Sequence, residues 1–222
     1  MIDRARLGRR RDTIRSEPDV SAVHKNAVWQ ALRWAWEEVR SKHATLVANG
    51  REEEISERIQ RFLNEHGANG ARRVRALSGF ETVVRGAKVV TADGRIEKAP
   101  DLVFRPIAAR GVRNRGDWGF FVECKIIAID PAHSAKAYCD KGVVKFVLGE
   151  YCARMASGGM VAYVRDQRHP LATLAPILDA TYRTLVVEPG LDADTCHSEH
   201  ERGRLPQRCV NIRITHVWLD AS

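Results

Sequence analysis

Residues 119–130 read GFFVECKIIAID. Apolar residues occupy both faces of the strand that this spacing predicts. Such strands lie at the centre of sheets covered on both sides, which commits the chain to a layered α/β architecture. Glu123 and Lys125 contradict the apolar run. They share one face, because side chains i and i+2 of a strand project together, while Val122, Cys124 and Ile126 face the other way. An unpaired buried charge costs several kcal/mol, on the order of a domain's whole stability margin. The pair therefore needs a reason to be inside.

The flanking sequence supplies the layers. Residues 1–18 are Arg-rich and read as a basic flexible arm, solvated or ordered on a partner. Residues 19–48 carry the helical stripe Val23, Ala27, Ala31, Trp34 and Val39, with Trp29 and Trp36 adding apolar bulk, and Asn49-Gly50 stops them. A second helix spans 51–67, and a basic loop with Arg72, Arg73 and Arg75 follows. Strands are predicted at 81–85 and 88–91, the latter before the turn signal Asp93-Gly94, and again at 101–107. An arginine-rich loop (Arg110, Arg113, Arg115) precedes the strand at 118–129. A long helix is expected over 135–157, stopped by Gly158-Gly159, then a strand at 160–164. A helix over 170–181, a polar loop over 188–208 and a strand over 210–219 complete the chain. The expected organisation is the arm, a helical extension over 19–50, and one α/β domain over 51–222.

Composition narrows the partners. Lys and Arg number 36 against 28 Asp and Glu, a formal net charge of +8, and Arg predominates. Guanidinium groups bond phosphate oxygens in pairs, so the balance favours nucleic acid. The five cysteines are odd in number and form no CxxC, which fits reduced thiols in the cytoplasm. No apolar leader and no run near 18 apolar residues occurs, so neither a signal peptide nor a membrane span is expected. Phosphate-binding glycine loops, serine-hydrolase elbows, zincin motifs and helix-turn-helix signatures are absent from the sequence.

Asp101 follows Pro100 at the mouth of the neighbouring strand LVF. Two carboxylates at adjacent strand ends can share a hard divalent cation such as Mg²⁺, and a lysine beside them can orient a coordinated water. Such a cation would also offset the desolvation of the carboxylates. A plainer arrangement makes Glu123 and Lys125 a same-face ion pair and Pro100-Asp101 a turn. Pro100-Asp101 followed by Glu123-Cys124-Lys125, in the order α, β, β, β, α, β, resembles the PD-(D/E)XK nuclease superfamily over residues 51–165. The resemblance implies a restriction-endonuclease-like αβββαβ core with a mixed central sheet flanked by helices, to which the N-terminal helices and a C-terminal α/β portion are added. It implies Mg²⁺-dependent hydrolysis of phosphodiesters, usually in DNA, with Mn²⁺ able to substitute. Carried over by position, Asp101 and Glu123 would hold metal, the backbone carbonyl of Cys124 would join them, and Lys125 would position the attacking water.

Members of that superfamily often add a glutamate from the first core helix. Ile55, Ile59, Phe62 and Leu63 define the buried stripe here, and at about 100° per residue Glu52 falls within it while Glu57 lies nearly opposite. Glu52 is therefore the expected inward carboxylate; the alternative is that Glu52, Glu53, Glu54 and Glu57 all serve the helix dipole. On the next helix, Lys141 and Lys145 either reach a phosphate or stay solvated. Cys196, His197, His200, Cys209 and His216 invite a zinc reading, but their spacing is irregular. The basic loops carrying Arg72, Arg73 and Arg75 and Arg110, Arg113 and Arg115 are expected to hold the nucleic-acid backbone. A small basic nuclease without a sequence-reading module suits an effector of bacterial anti-phage defence or restriction, restrained by a regulatory or targeting protein. A repair or mobile-element nuclease and a non-catalytic nucleic-acid-binding or adaptor subunit are the alternatives. Trp29, Trp34 and Trp36 either bury against the core or join copies of the chain in a homo-oligomer.

Overall fold

The apolar run around Glu123 forms an eight-residue strand in which only Lys125 is not fully buried. The computed structural model describes residues 16–67, 75–86, 89–90, 96–98, 100–178, 180–202 and 211–222. Arg72, Arg73, Cys209, the Asp93-Gly94 turn and most of the basic arm lie outside the described residues, as does the side chain of Arg75. Helices α1 (Ala22–Lys42), α2 (Ala44–Asn49) and α3 (Glu52–Gly67) come first, then a short pair β1 (Val89–Val90) and β2 (Ile96–Lys98). Strands β3 (Leu102–Phe104) and β4 (Phe120–Ile127) follow, then α4 (Ala135–Tyr138) and α5 (Val144–Val147) joined by a π-helical turn, Cys139–Val143. The chain continues through β5 (Ser157–Val164), α6 (Pro170–Leu174), β6 (Thr184–Pro189), β7 (Thr195–Glu201) and β8 (Asn211–Asp220).

Six strands make one open mixed sheet, in the order β3-β4-β5-β8-β7-β6. β4, β5 and β8 run parallel in the middle, and the outer neighbours are antiparallel. The fold is thus α/β with a mixed sheet, as the sequence leads one to expect. Among the described residues no helix is long and apolar enough to cross a membrane.

Alternation along the strands assigns the two faces. On one, Trp29 of α1 meets Phe120 edge-on at 5.4 Å, Trp36 stacks on Tyr163 at 5.3 Å, and Trp34 reaches Phe62 of α3 at 4.6 Å. The tryptophans therefore pack against the core and α3. Glu123, Lys125, Met160 and His216 share the opposite face, which α4, the π-turn and α5 cover. Close packing explains Gly158 and Gly159, which the sequence suggests as a helix stop. They lie inside β5, where an added Cβ would come within 2.6 Å of Phe146 at the first and within 2.6 Å of Trp29 at the second.

Four further elements depart from expectation. Val23 is 78% exposed, because the buried stripe of α1 runs through Val28, Leu32 and Val39 and Val23 lies about 140° away from Val28 around the helix. The helix expected to continue to residue 157 stops at Val147, after which Gly149 and Cys152 adopt φ of 70° and 52°. There the buried guanidinium of Arg202 gathers the carbonyls of Phe146, Cys152 and Met155 at 2.5–3.0 Å, replacing helical hydrogen bonds. Residues 81–85 form only the isolated bridge Val84–Val103, since the N–H and C=O of Val83 are taken by Asn64 of α3 at 2.9 and 3.0 Å. Finally, the end of β6 and the whole of β7 fall within the expected polar loop.

β7 is polar because its inward face is polar. Cys196, Ser198 and His200 are buried there. His200 Nδ1 lies 3.0 Å from the carbonyl of Tyr182 and must donate to it, which leaves Nε2 to accept from Ser198 Oγ at 2.7 Å. Ser198 then accepts from His216 Nε2 at 2.7 Å, and His216 Nδ1 accepts from the Tyr138 hydroxyl at 2.8 Å. Every group is satisfied with both imidazoles neutral. Burial lowers both histidines, His200 to about 4. Ser198→Ala should cost about 2–3 kcal/mol in urea unfolding, because both Nε2 atoms lose their partner. A cost below about 0.5 kcal/mol would show that the chain of bonds does not hold β7.

Candidate functional site

β3 is short. It pairs Leu102 with Val122 and stops, because Pro100 has no N–H to extend the ladder. Beyond it, the edge of β4 has no strand partner for the N–H groups of Cys124 and Ile126. Carboxylates take their place. Asp101 Oδ2 accepts from Cys124 N at 2.7 Å, and Glu52 Oε2 accepts from Ile126 N at 3.2 Å. Lys125 Nζ stands among them, donating to Glu52 Oε1 and to the Cys124 carbonyl at 2.6 Å each. It lies 3.0 Å from Glu123 Oε1 and 3.9 Å from Asp101 Oδ2.

Of the four glutamates at the start of α3, Glu52 alone joins the cluster. Glu54 pairs with Arg51 at 3.0 Å and Glu57 with Arg61 at 3.3 Å. Lys145 of α5 is a further member that sequence spacing left undecided. Its Nζ donates to Glu123 Oε1 at 2.8 Å and to the Tyr151 hydroxyl at 3.0 Å. The π-turn aims it there, and it also places Gly142 against the sheet. A Cβ on Gly142 would fall 2.3 Å from Met160 Cε, so glycine there makes room for the Met160 side chain. Lys141 only grazes the Ala132 carbonyl at 3.4 Å.

The electrostatics are unbalanced. Glu52, Asp101 and Glu123 face Lys125 and Lys145, three carboxylates against two ammonium groups. Burial and then the neighbouring Glu123 raise the Asp101 carboxyl to about 7, only partly offset by Lys125. Burial opposes the charge on Lys125, but Glu123, Glu52 and Asp101 outweigh it and hold that ammonium above its ordinary value. The Cys124 thiol points away, toward Tyr163 and Ser56, and burial raises it.

The structure does not bring the second arginine loop to this cluster. Residues 105–119 join the end of β3 to the start of β4, the far end of both strands from Asp101 and Lys125. Arg115 is engaged internally, by the carbonyls of Ile107 and Pro106 and the carboxylate of Glu81. Arg110 and Arg113 are exposed. Near the cluster, Arg51, His133, Lys141 and Lys145 border a hollow of about 680 Å³ that also reaches Glu52 and Lys125. Among the described residues no group of three or more His, Cys, Asp or Glu forms a ready metal cage. The zinc alternative lacks a ligand set there, since the rings of His200 and His216 are filled by Ser198, Tyr138 and the Tyr182 carbonyl. The four described cysteines are free thiols. No family model, no curated protein and no solved structure matches this chain.

A carboxyl raised on folding destabilises the fold as it ionises, so the stability that the neutral carboxyl contributes is whole below about pH 4 and is lost as pH climbs through about 7. Asp101→Asn keeps an acceptor for the Cys124 N–H and removes the charge. It should melt above the wild type at pH 8, by on the order of 2–4 kcal/mol, with the gap closing toward pH 5. A pH-independent difference in Tm would show that Asp101 carries no such burden.

Proposed function

We propose that the chain is a metal-dependent nuclease of the PD-(D/E)XK kind, cleaving DNA phosphodiester bonds internally. The observation that carries the reading is the convergence of Glu52, Asp101, Glu123 and Lys125 on one open strand edge. Apart from the separate pair β1–β2, which lies between the bridged segment near Val84 and β3, the order α3, that segment, β3, β4, α4–α5 and β5 supports the αβββαβ core. The net charge of +8 supports a nucleic-acid substrate.

The donor set fits a hard cation. Asp101, Glu123 and the Cys124 carbonyl offer only oxygen, and Mg²⁺ commonly takes one or two carboxylates and completes its shell with water and phosphate. Burial and the neighbouring Glu123 raise the Asp101 carboxyl, and a cation at this edge would oppose both. When bound, Mg²⁺ or Mn²⁺ supplies Lewis acidity toward a phosphoryl oxygen and acidifies a coordinated water. The chain's own residues do the rest. Cys124 N–H fixes the Asp101 carboxylate. Lys145, backed by Tyr151, fixes Glu123. Lys125, held by Glu52, is placed to orient the nucleophilic water and to stabilise charge developing on the phosphate. A role in anti-phage defence or restriction rests on size and charge alone. One observation favours a non-catalytic binding subunit instead: two ammonium groups already lie on Glu123.

Supercoiled plasmid with Mg²⁺ or Mn²⁺ tests this. The wild type should nick or linearise it, EDTA should abolish cutting, and Lys125→Ala or Asp101→Ala should lower the rate about 100-fold or more. Lys145→Ala should lower it about 10- to 100-fold by releasing Glu123. Cutting at the wild-type rate by Lys125→Ala would sink the assignment. DNA binding without cutting would move the chain to the binding-subunit reading.

A further inference from the structure

Asp101 also borders a second hollow. A groove of about 480 Å³ is lined by Glu57, Gln60, Arg85, Gly86, Pro100 and Asp101. The larger hollow beside Glu52 and Lys125 does not include Asp101, so the carboxylate cluster stands with one groove on each side.

Arg85 is held in the smaller groove by its backbone. Gln60 and Asn64 of α3 both donate to the Val83 carbonyl at 3.0 Å, and Val84 bridges Val103 of β3. These anchors fix the backbone that leads into Arg85. The next residue, Gly86, turns with φ 64°, and an added Cβ there would meet nothing within 4 Å.

The guanidinium is under-committed. Among the described residues Arg85 Nε is buried without a hydrogen-bond partner, while the side chain as a whole is 27% exposed. Among the described residues Arg85 meets the carboxylate of Glu57, whose Oε2 is 3.7 Å from Nη1, and Glu57 also serves Arg61 at 3.3 Å. A buried guanidinium donor left unpaired is unfavourable, and a ligand that supplies two acceptors in one plane removes the penalty. A phosphodiester has that geometry and the opposite charge.

Resting on the nuclease reading, we infer that Arg85 is a phosphate clamp, holding the backbone phosphate next to the one presented to Asp101 and Lys125. Arg85 would fix which linkage lies over the cluster. Glu57 competes with that phosphate for Arg85, and its pairing with Arg61 lets it yield.

Fluorescence anisotropy with a short labelled DNA in EDTA reads binding without cutting. Arg85→Ala should weaken binding about tenfold and lower the slope of log K against log salt by nearly one, the signature of one lost phosphate contact. Glu57→Gln should bind more tightly. Arg85→Lys should keep the salt slope and lose about threefold in affinity, which covers the case in which Arg85→Ala fails to fold. Replacing single phosphates by uncharged methylphosphonate should weaken wild-type binding most at one position, and that position should lose its effect in Arg85→Ala. DNA that binds and is cut normally by Arg85→Ala, with an unchanged salt slope, would overturn this inference and leave the nuclease reading standing. A wild type that neither binds nor cuts DNA would overturn both.

Discussion

The site depends on a strand that ends too soon. β4 is buried on both faces, yet β3 covers only the first part of its edge. Backbone N–H groups left without partners at a buried edge are costly. Here the two orphans at Cys124 and Ile126 are satisfied by Asp101 and Glu52, which come from different elements. The truncated ladder thus fixes two carboxylates about an ammonium on the strand itself. Pro100 does this economically: it cannot continue the ladder, and the residue after it is the carboxylate.

Elements far from the cluster set its other half. Arg202, at the end of β7, ties down the turn after α5 by its carbonyls. That turn carries Tyr151, which meets Lys145, which meets Glu123. The chain of bonds from Tyr138 through His216 and Ser198 to His200 fastens α4 to β8 and β7. The C-terminal strands therefore do more than extend the sheet. They hold the helix that closes over Glu123.

The sequence made part of this legible for physical reasons. Period-two alternation placed Glu123 and Lys125 on one face, and helical angle selected Glu52 from four neighbouring glutamates; both are short-range rules that tertiary context left intact. What was hidden depends on packing. Ser198 and His200 look like loop residues because polar side chains usually face water, whereas here they satisfy one another inside. Gly158 and Gly159 look like a helix stop because glycine breaks helices, whereas here their lack of a side chain admits Phe146 and Trp29. Lys145 follows the π-turn Cys139–Val143 by two positions, and that turn is not visible in spacing. Arg85 had no signal at all, because its standing comes from an anchored backbone and an unfilled Nε.

Charge balance ties these features together. Three carboxylates and two lysines meet inside a partly buried cluster, and burial first, then the neighbouring Glu123, raise the Asp101 carboxyl. A fold selected for stability alone could relieve this with an apolar or amide side chain at that position. Keeping the charge costs stability near neutral pH and retains a strong oxygen donor at the open edge of β4. Asp101 also has a structural task at that edge, since it accepts from the Cys124 N–H. Lys125 is already held by Glu52 and the Cys124 carbonyl. On the proposed nuclease reading, a cation from outside the chain would relieve the imbalance, and Lys125 and Arg85 would be the groups nearest an incoming phosphate.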